Sequence, residues 1–126
     1  TMGFGLPAAI GAQLSNPGAT VVCVSGDGSI QMNIQELATV ARERLPIKIV
    51  LLDNQALGMV RQWQELFFQE RYSAVDLSDN PDFGLIAQAY RIRAMRLDAR
   101  ADLEATLAEF LAIEGPAFLH VAIDQK

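Results

Sequence analysis

Asp27 and Asn54 carry the strongest chemical signal in this 126-residue chain. Asp27 stands in Gly26-Asp27-Gly28-Ser29, where one apolar run closes. Twenty-seven residues further on, Asn54 stands in Asp53-Asn54-Gln55, where a second apolar run closes. One side chain offers a carboxylate and the other an amide oxygen, donors suited to a hard cation such as Mg²⁺. The glycines beside Asp27 form a turn whose following amides, those of Gly28 and Ser29, can hold phosphate oxygens at a helix start. A carboxylate about 4 Å from a phosphate charge is repelled by roughly 4 kcal/mol at an effective dielectric of ~20. Asp27 therefore fits a phosphate cradle only with a cation between the two. Mg²⁺ does this with one or two protein oxygens, taking its other ligands from phosphate and water. No Lys follows the glycines, so the loop is not of the Walker type. Taken alone, Gly-Asp-Gly is read equally well as a strand-to-helix turn with Asp27 as its cap. The matched strand end at Asn54 favours the ligand site.

These side chains meet only if the segments around them form a βαβ unit. Val21-Val22-Cys23-Val24 and Ile47-Lys48-Ile49-Val50-Leu51-Leu52 are rich in β-branched residues and bounded by Gly, Pro or Asn, as buried parallel strands are. The sequence predicts a helix over 6–14, ended by Ser15-Asn16-Pro17-Gly18, then a strand over 21–25, a helix over 30–44 and a strand over 47–52. Beyond these it predicts a helix over 58–68 with Met59, Trp63 and Leu66 on one side. Asp79-Asn80-Pro81 caps a helix over 82–90 whose Phe83, Ile86, Ala87 and Tyr90 share a face. A strand over 92–97, a helix over 101–111 with Leu103, Leu107 and Phe110 inward, and a strand over 117–123 complete the chain. Such alternation implies an α/β fold, a doubly wound parallel sheet with helices on both faces. Ligands of open α/β sheets bind at the carboxyl ends of the strands, where Asp27 and Asn54 stand.

Gly26-Asp27-Gly28 followed at this distance by Asn54 resembles the motif that binds thiamine diphosphate and Mg²⁺. The segments from Thr1-Met2-Gly3-Phe4-Gly5 to Ala12, Leu57-Gly58-Met59-Val60-Arg61-Gln62-Trp63 and Phe67-Phe68-Gln69-Glu70-Arg71-Tyr72 extend the likeness. Together they resemble the C-terminal, pyrophosphate-binding domain of the large catalytic subunit of the acetolactate (acetohydroxyacid) synthase family. The likeness continues more weakly to Ile123. It implies that Asp27, Asn54 and the backbone carbonyl of Ala56 ligate Mg²⁺, and that Gly26, Gly28 and Ser29 hold the diphosphate. It implies that Met2 lies under the thiamine and bends it, with Gly58, Met59 and Val60 beside the cofactor. Trp63 would shape the pocket for the second 2-keto acid.

The implied reaction condenses two pyruvates, or pyruvate and 2-ketobutyrate, with loss of CO₂, in branched-chain amino acid synthesis. The family's activating glutamate comes from another domain, usually on a neighbouring subunit, and none of the seven glutamates here matches it. The chain thus holds no catalytic residue of its own and resembles half of a site completed in a homo-oligomer. The resemblance also leaves room for FAD in a middle domain and for a regulatory subunit. One departure stands out: Asp53 occupies the first position of what is an Asn-Asn pair in many relatives, where an outward side chain would only shape the turn. Two alternatives remain open, the equivalent domain of another thiamine diphosphate-dependent decarboxylase or carboligase, and a non-catalytic assembly domain of the same fold.

Composition agrees with one domain over 1–126, expected to be part of a larger enzyme because Thr1 opens directly into a motif. At 51% hydrophobic the chain can build one core but is too short for two domains. A net charge of −5 argues against nucleic acid and anionic membranes as partners. Cys23, the single cysteine, falls in a predicted buried strand and suits a reducing, cytoplasmic setting. No stretch approaches the ~20 apolar residues of a membrane span.

Weaker candidates have plainer readings. Gly3-x-Gly5-x-x-Ala8 fits a dinucleotide fingerprint, but only Thr1 and Met2 precede it where a strand is required. His120 alternates with apolar neighbours and reads as a core or edge histidine. Glu36 reads as solvated or as a subunit contact.

Overall fold

The computed structural model describes residues 1–125. Strands β1 (Val22–Gly26), β2 (Lys48–Asp53), β3 (Arg93–Leu97) and β4 (Ala117–Ala122) form one sheet in the order β1-β2-β4-β3. Every pairing is parallel. The helices are α1 (Gly5–Ser15), α2 (Asp27–Gln31), α3 (Leu37–Arg42), α4 (Gly58–Phe67), α5 (Phe83–Ala89) and α6 (Leu103–Ala112).

Strands β2 and β4 are apolar and covered on both sides, whereas β1, expected to be a buried strand, is covered on one side only, with Val22 and Val24 exposed on the other. Ile49, Leu51 and Phe118 face a core shared with Leu6 and Ile10 of α1, Leu37 and Val40 of α3, and Phe83 and Ala87 of α5. Val50 and Leu119 face the other side, where Phe110 and Leu107 of α6 pack. This is the expected doubly wound arrangement. Phe83, Phe110 and Phe118 are fully buried, each contributing ~1.5–3 kcal/mol relative to exposure. Lys48, buried at the start of β2, donates to the carbonyls of Ile113 and Gly115 and so ties the strand to the end of α6.

Four further details depart from the sequence reading. The helix expected over 30–44 is broken into α2, a 3₁₀ turn at Ile34–Glu36, and α3. Asn33 is the break: its backbone lies at φ −137°, ψ 30°, outside the helical region, and its amide donates to the Gly3 carbonyl. The cap of α5 is Asp82, whose side chain accepts from the Leu85 amide at 2.9 Å, rather than Asp79-Asn80-Pro81. Leu103 of α6 is exposed, since a 3₁₀ turn at Arg100–Asp102 sets its angle before the helix proper begins. Finally, the apolar side of α4 is as regular as expected but uncovered: no α4 residue is buried, and Met59 is 76% exposed.

Candidate cofactor and metal site

Parallel pairing of β1 with β2 sets Gly26 opposite Leu52, so both strands stop at one edge with the residues beyond them side by side. Gly26 takes the extended cap position of α2 with no side-chain cap bond, and Asp27 is the first helical residue. The reading of Asp27 as a mere cap is thereby excluded. Its carboxylate, 2% exposed, accepts from Asn80 Nδ2 at 2.8 Å. At the end of β2, Asn54 folds into a turn in which its Oδ1 accepts from the Ala56 amide at 3.2 Å. Ala56 forms an antiparallel bridge with Asp76 whose two bonds run from Leu57 to Val75 and from Leu77 to Gln55, leaving the Ala56 carbonyl out of both.

A cavity of about 350 Å³ opens at this edge, within the usual size range of small-ligand pockets. Gly26, Asp27, Gly28, Ser29, Asn54 and Ala56 line one part of it; Met2, Gly58, Met59 and Val60 line another. Every cofactor and metal residue expected from the sequence is therefore gathered around one space. Trp63 is not among the lining residues: it is 58% exposed on α4, its ring 5.2 Å from that of Phe67. Leu52, Leu57 and Ile123 add to the apolar wall. No Glu, Lys, Arg or His lines the cavity, so Asp27 is its one ionisable lining side chain among the described residues.

Backbone geometry explains how Met2 arrives there. Gly3 adopts φ +73°, a left-handed conformation open to glycine, and its amide donates to Ser29 Oγ at 3.0 Å. The chain before α1 is thus pinned onto α2. A Cβ on Gly28 would lie 2.7 Å from Leu57 Cδ2 and 3.3 Å from Met2 Cε, so glycine lets both side chains close over the turn.

Behind Asp27 lies a second buried carboxylate. Asp53 does not point outward: it is 8% exposed, and besides shaping the turn by accepting from the Gln55 amide at 3.1 Å it accepts from His120 and from Asn80 at 3.2 Å. His120 is the core histidine that its apolar neighbours suggested, but with polar work at its tip. Burial pushes the Asp27 carboxyl above its ordinary value, and Asp53 pushes it further, against the lowering effect of Asn80 and the Gly28 amide. Burial also acts upward on Asp53, but hydrogen bonds from His120, the Gln55 amide and Asp27 outweigh it and hold Asp53 low. A cation beside Asp27 would favour its ionised form.

The donors fit Mg²⁺ better than a softer metal. No group of three His, Cys, Asp or Glu converges among the described residues, so a cation here must use mixed oxygen donors. One carboxylate, one amide oxygen and one carbonyl, with room for phosphate and water, match that ion's habits. Asn80 and His120 escaped the sequence reading as parts of this neighbourhood. Asn80 is fifty-three residues from Asp27, and no local pattern links them.

Comparison with known proteins agrees with this geometry. The large subunit of acetolactate synthase isozyme 2 of Escherichia coli is 61% identical over 125 residues, 99% of this chain and 23% of that protein. The acetolactate synthase large subunit of Porphyra purpurea is 47% identical over 127 residues, 100% of this chain and 22% of that protein. Acetolactate synthase of Arthrospira platensis is 45% identical over 124 residues, 98% of this chain and 21% of that protein. The chain spans less than a quarter of the length of each of these relatives. Residues 1–121 match the family model for the C-terminal TPP-binding domain of thiamine pyrophosphate enzymes. With that match over nearly its whole length, and with the expected residues gathered at one sheet edge, the chain belongs to the family of thiamine pyrophosphate enzyme C-terminal domains.

Proposed function

We propose that this chain is the cofactor-anchoring part of an acetolactate synthase large subunit, holding the diphosphate of thiamine diphosphate through Mg²⁺. Its full-length protein condenses two pyruvates, or pyruvate and 2-ketobutyrate, with loss of CO₂. One observation carries the reading: Asp27 and Asn54, at the ends of adjacent parallel strands, line the same cavity as the Gly26–Gly28 turn. The identity to acetolactate synthases over almost the entire chain supports the choice of reaction within the family.

Asp27, Asn54 and the Ala56 carbonyl would ligate the ion, and the amides of Gly28 and Ser29 would receive phosphate oxygens. Bound thiamine diphosphate would supply the electron sink that lets a 2-keto acid lose CO₂. Met2, Met59 and Val60 offer apolar surface that orients an aromatic ligand and excludes water. Among the described residues the cavity wall has no general acid or base beyond Asp27, which the ion would occupy. This chain therefore anchors, and proton transfer comes from elsewhere in the assembled protein, completed by a second subunit.

Asp27→Ala in the full-length protein should abolish Mg²⁺-dependent binding of thiamine diphosphate, measured by isothermal titration calorimetry. Unchanged affinity in a folded Asp27→Ala protein would refute the assignment.

A further inference from the structure

Asn80 touches both buried carboxylates behind the cavity. Its Nδ2 donates to Asp27 Oδ2 at 2.8 Å and to Asp53 Oδ1 at 3.2 Å, while its Oδ1 accepts from Gln31 Nε2 at 2.8 Å. The amide can sit only this way round, because an ionised carboxylate only accepts and the Gln31 amide nitrogen only donates. Its backbone is fixed too, with the Asn80 amide donating to the Leu77 carbonyl at 3.0 Å. One nitrogen therefore lies within hydrogen-bond distance of both carboxylates. Without a donor between them, two like charges so placed repel and turn apart. That response moves the Asp27 oxygen meant for a cation.

We propose that Asn80 is a positioning residue for the cation site: one amide group holds the Asp27 carboxylate in place and separates it from Asp53. This rests on the reading of Asp27 as an Mg²⁺ ligand. Asp53 is itself held from behind by His120 Nε2 at 2.8 Å, so His120, Asp53, Asn80 and Asp27 form one continuous hydrogen-bonded chain. Gln31, one turn along α2 from Asp27, closes the arrangement by orienting Asn80. The consequence is selectivity as well as affinity. Mg²⁺ demands near-octahedral geometry at short distances, whereas Ca²⁺ accepts irregular, looser shells. A carboxylate freed from Asn80 can still follow Ca²⁺, but it serves Mg²⁺ poorly.

The test measures dissociation constants of Mg²⁺ and of Ca²⁺ by calorimetry on the full-length protein with thiamine diphosphate present. Asn80→Ala should weaken Mg²⁺ by about tenfold or more, the usual scale for removing a ligand's hydrogen-bond partner. It should weaken Ca²⁺ by less than about threefold, since that ion tolerates the displaced oxygen. Adding Asp53→Asn to Asn80→Ala returns an amide to the neighbourhood of Asp27 and removes the opposing charge, so it should restore most of the Mg²⁺ affinity. Asn80→Ser, which keeps a single donor, covers the case in which Asn80→Ala does not fold, and should give an intermediate loss with the same bias against Mg²⁺. Equal weakening of both ions, or no rescue by Asp53→Asn, means a merely structural role and overturns the proposal. Unchanged Mg²⁺ affinity in Asn80→Ala or Asn80→Ser, with Asp27→Ala abolishing binding, overturns it while leaving Asp27 a ligand. Unchanged affinity in Asp27→Ala instead removes the metal site itself.

Discussion

His120 Nε2 and Asp53 Oδ2 meet at 2.8 Å between β4 and β2, in a place where both side chains are almost completely buried. The register makes the meeting possible, since His120 pairs with Leu51 and its side chain leaves the sheet on the same side as Leu51 and Asp53. Phe83 closes the site from α5, its ring edge-on to the imidazole at 5.8 Å. Arg96 Nη1 approaches His120 Nδ1 at 3.4 Å. A guanidinium only donates, so this arrangement suits the tautomer in which Nδ1 accepts and Nε2 donates to Asp53.

Removing one member of this pair should cost far more than replacing both. His120→Ala leaves a buried carboxylate short of its strongest donor, a loss of roughly 3 kcal/mol or more. The double change Asp53→Asn with His120→Gln removes the charge and keeps an amide pair, so it should recover much of that loss. Urea denaturation of the native protein, Asp53→Asn, His120→Gln and the double variant gives the coupling directly. Additive effects of the two single changes would show that the pair does not act as a unit.

Burial of Cys23 predicts a pH dependence. Its thiol lies on β1 beneath the start of α1, where an added Cβ on Gly5 would be 3.6 Å from Sγ, and burial raises its pKa above the ordinary 9.0. The unfolded thiol loses its proton first, so from about pH 9 upward the folded state holds the extra proton. Stability must then fall with rising pH until the folded pKa is passed, by at most about 1.4 kcal/mol per pH unit. Cys23→Ala abolishes this component. Denaturation midpoints from neutral pH to pH 10.5 should therefore fall more steeply for the native protein than for Cys23→Ala; parallel slopes would contradict the prediction.

The βαβ frame and its edge were legible because they rest on local patterns. β-branched runs ending in Gly-Asp-Gly and Asp-Asn announce two strands, and parallel pairing then brings Asp27 beside Asn54. What was not legible is tertiary. The break at Asn33 exists because its side chain reaches the Gly3 carbonyl, thirty residues away. Asp53 was expected to face outward, but strand alternation says only which face a residue takes; what covers that face depends on α5 and β4. Asn80 looked like part of a helix cap, and its contacts with Asp27 and Asp53 come from the path of a loop no periodicity describes. The apolar side of α4 shows the same limit in reverse. Its spacing is helical, yet Met59, Trp63 and Leu66 stay exposed among the described residues.

Trp63 turns that exposure into the sharpest test of the proposed reaction. An ordinary core tryptophan would be buried, and its truncation would typically cost ~3–5 kcal/mol. Trp63 is 58% exposed, against Phe67 on the open side of α4, one turn beyond Met59 and Val60 of the cavity wall. Trp63→Leu should therefore leave the stability of this domain within about 0.5 kcal/mol, as for a surface change. If the indole packs against the second 2-keto acid, it contacts the extra methyl of 2-ketobutyrate, a group worth ~1–3 kcal/mol in a shaped pocket. The full-length Trp63→Leu protein, given pyruvate and 2-ketobutyrate together, should then lose roughly tenfold or more in preference for the larger acceptor. Decarboxylation of the first pyruvate should stay largely intact, because Asp27, Asn54 and Met2 are untouched. The measurement is the ratio of the two acetohydroxy acids formed in one vessel. An unchanged ratio in a folded, active protein would separate Trp63 from acceptor choice, and leave its exposed ring as surface for packing against the rest of the assembly.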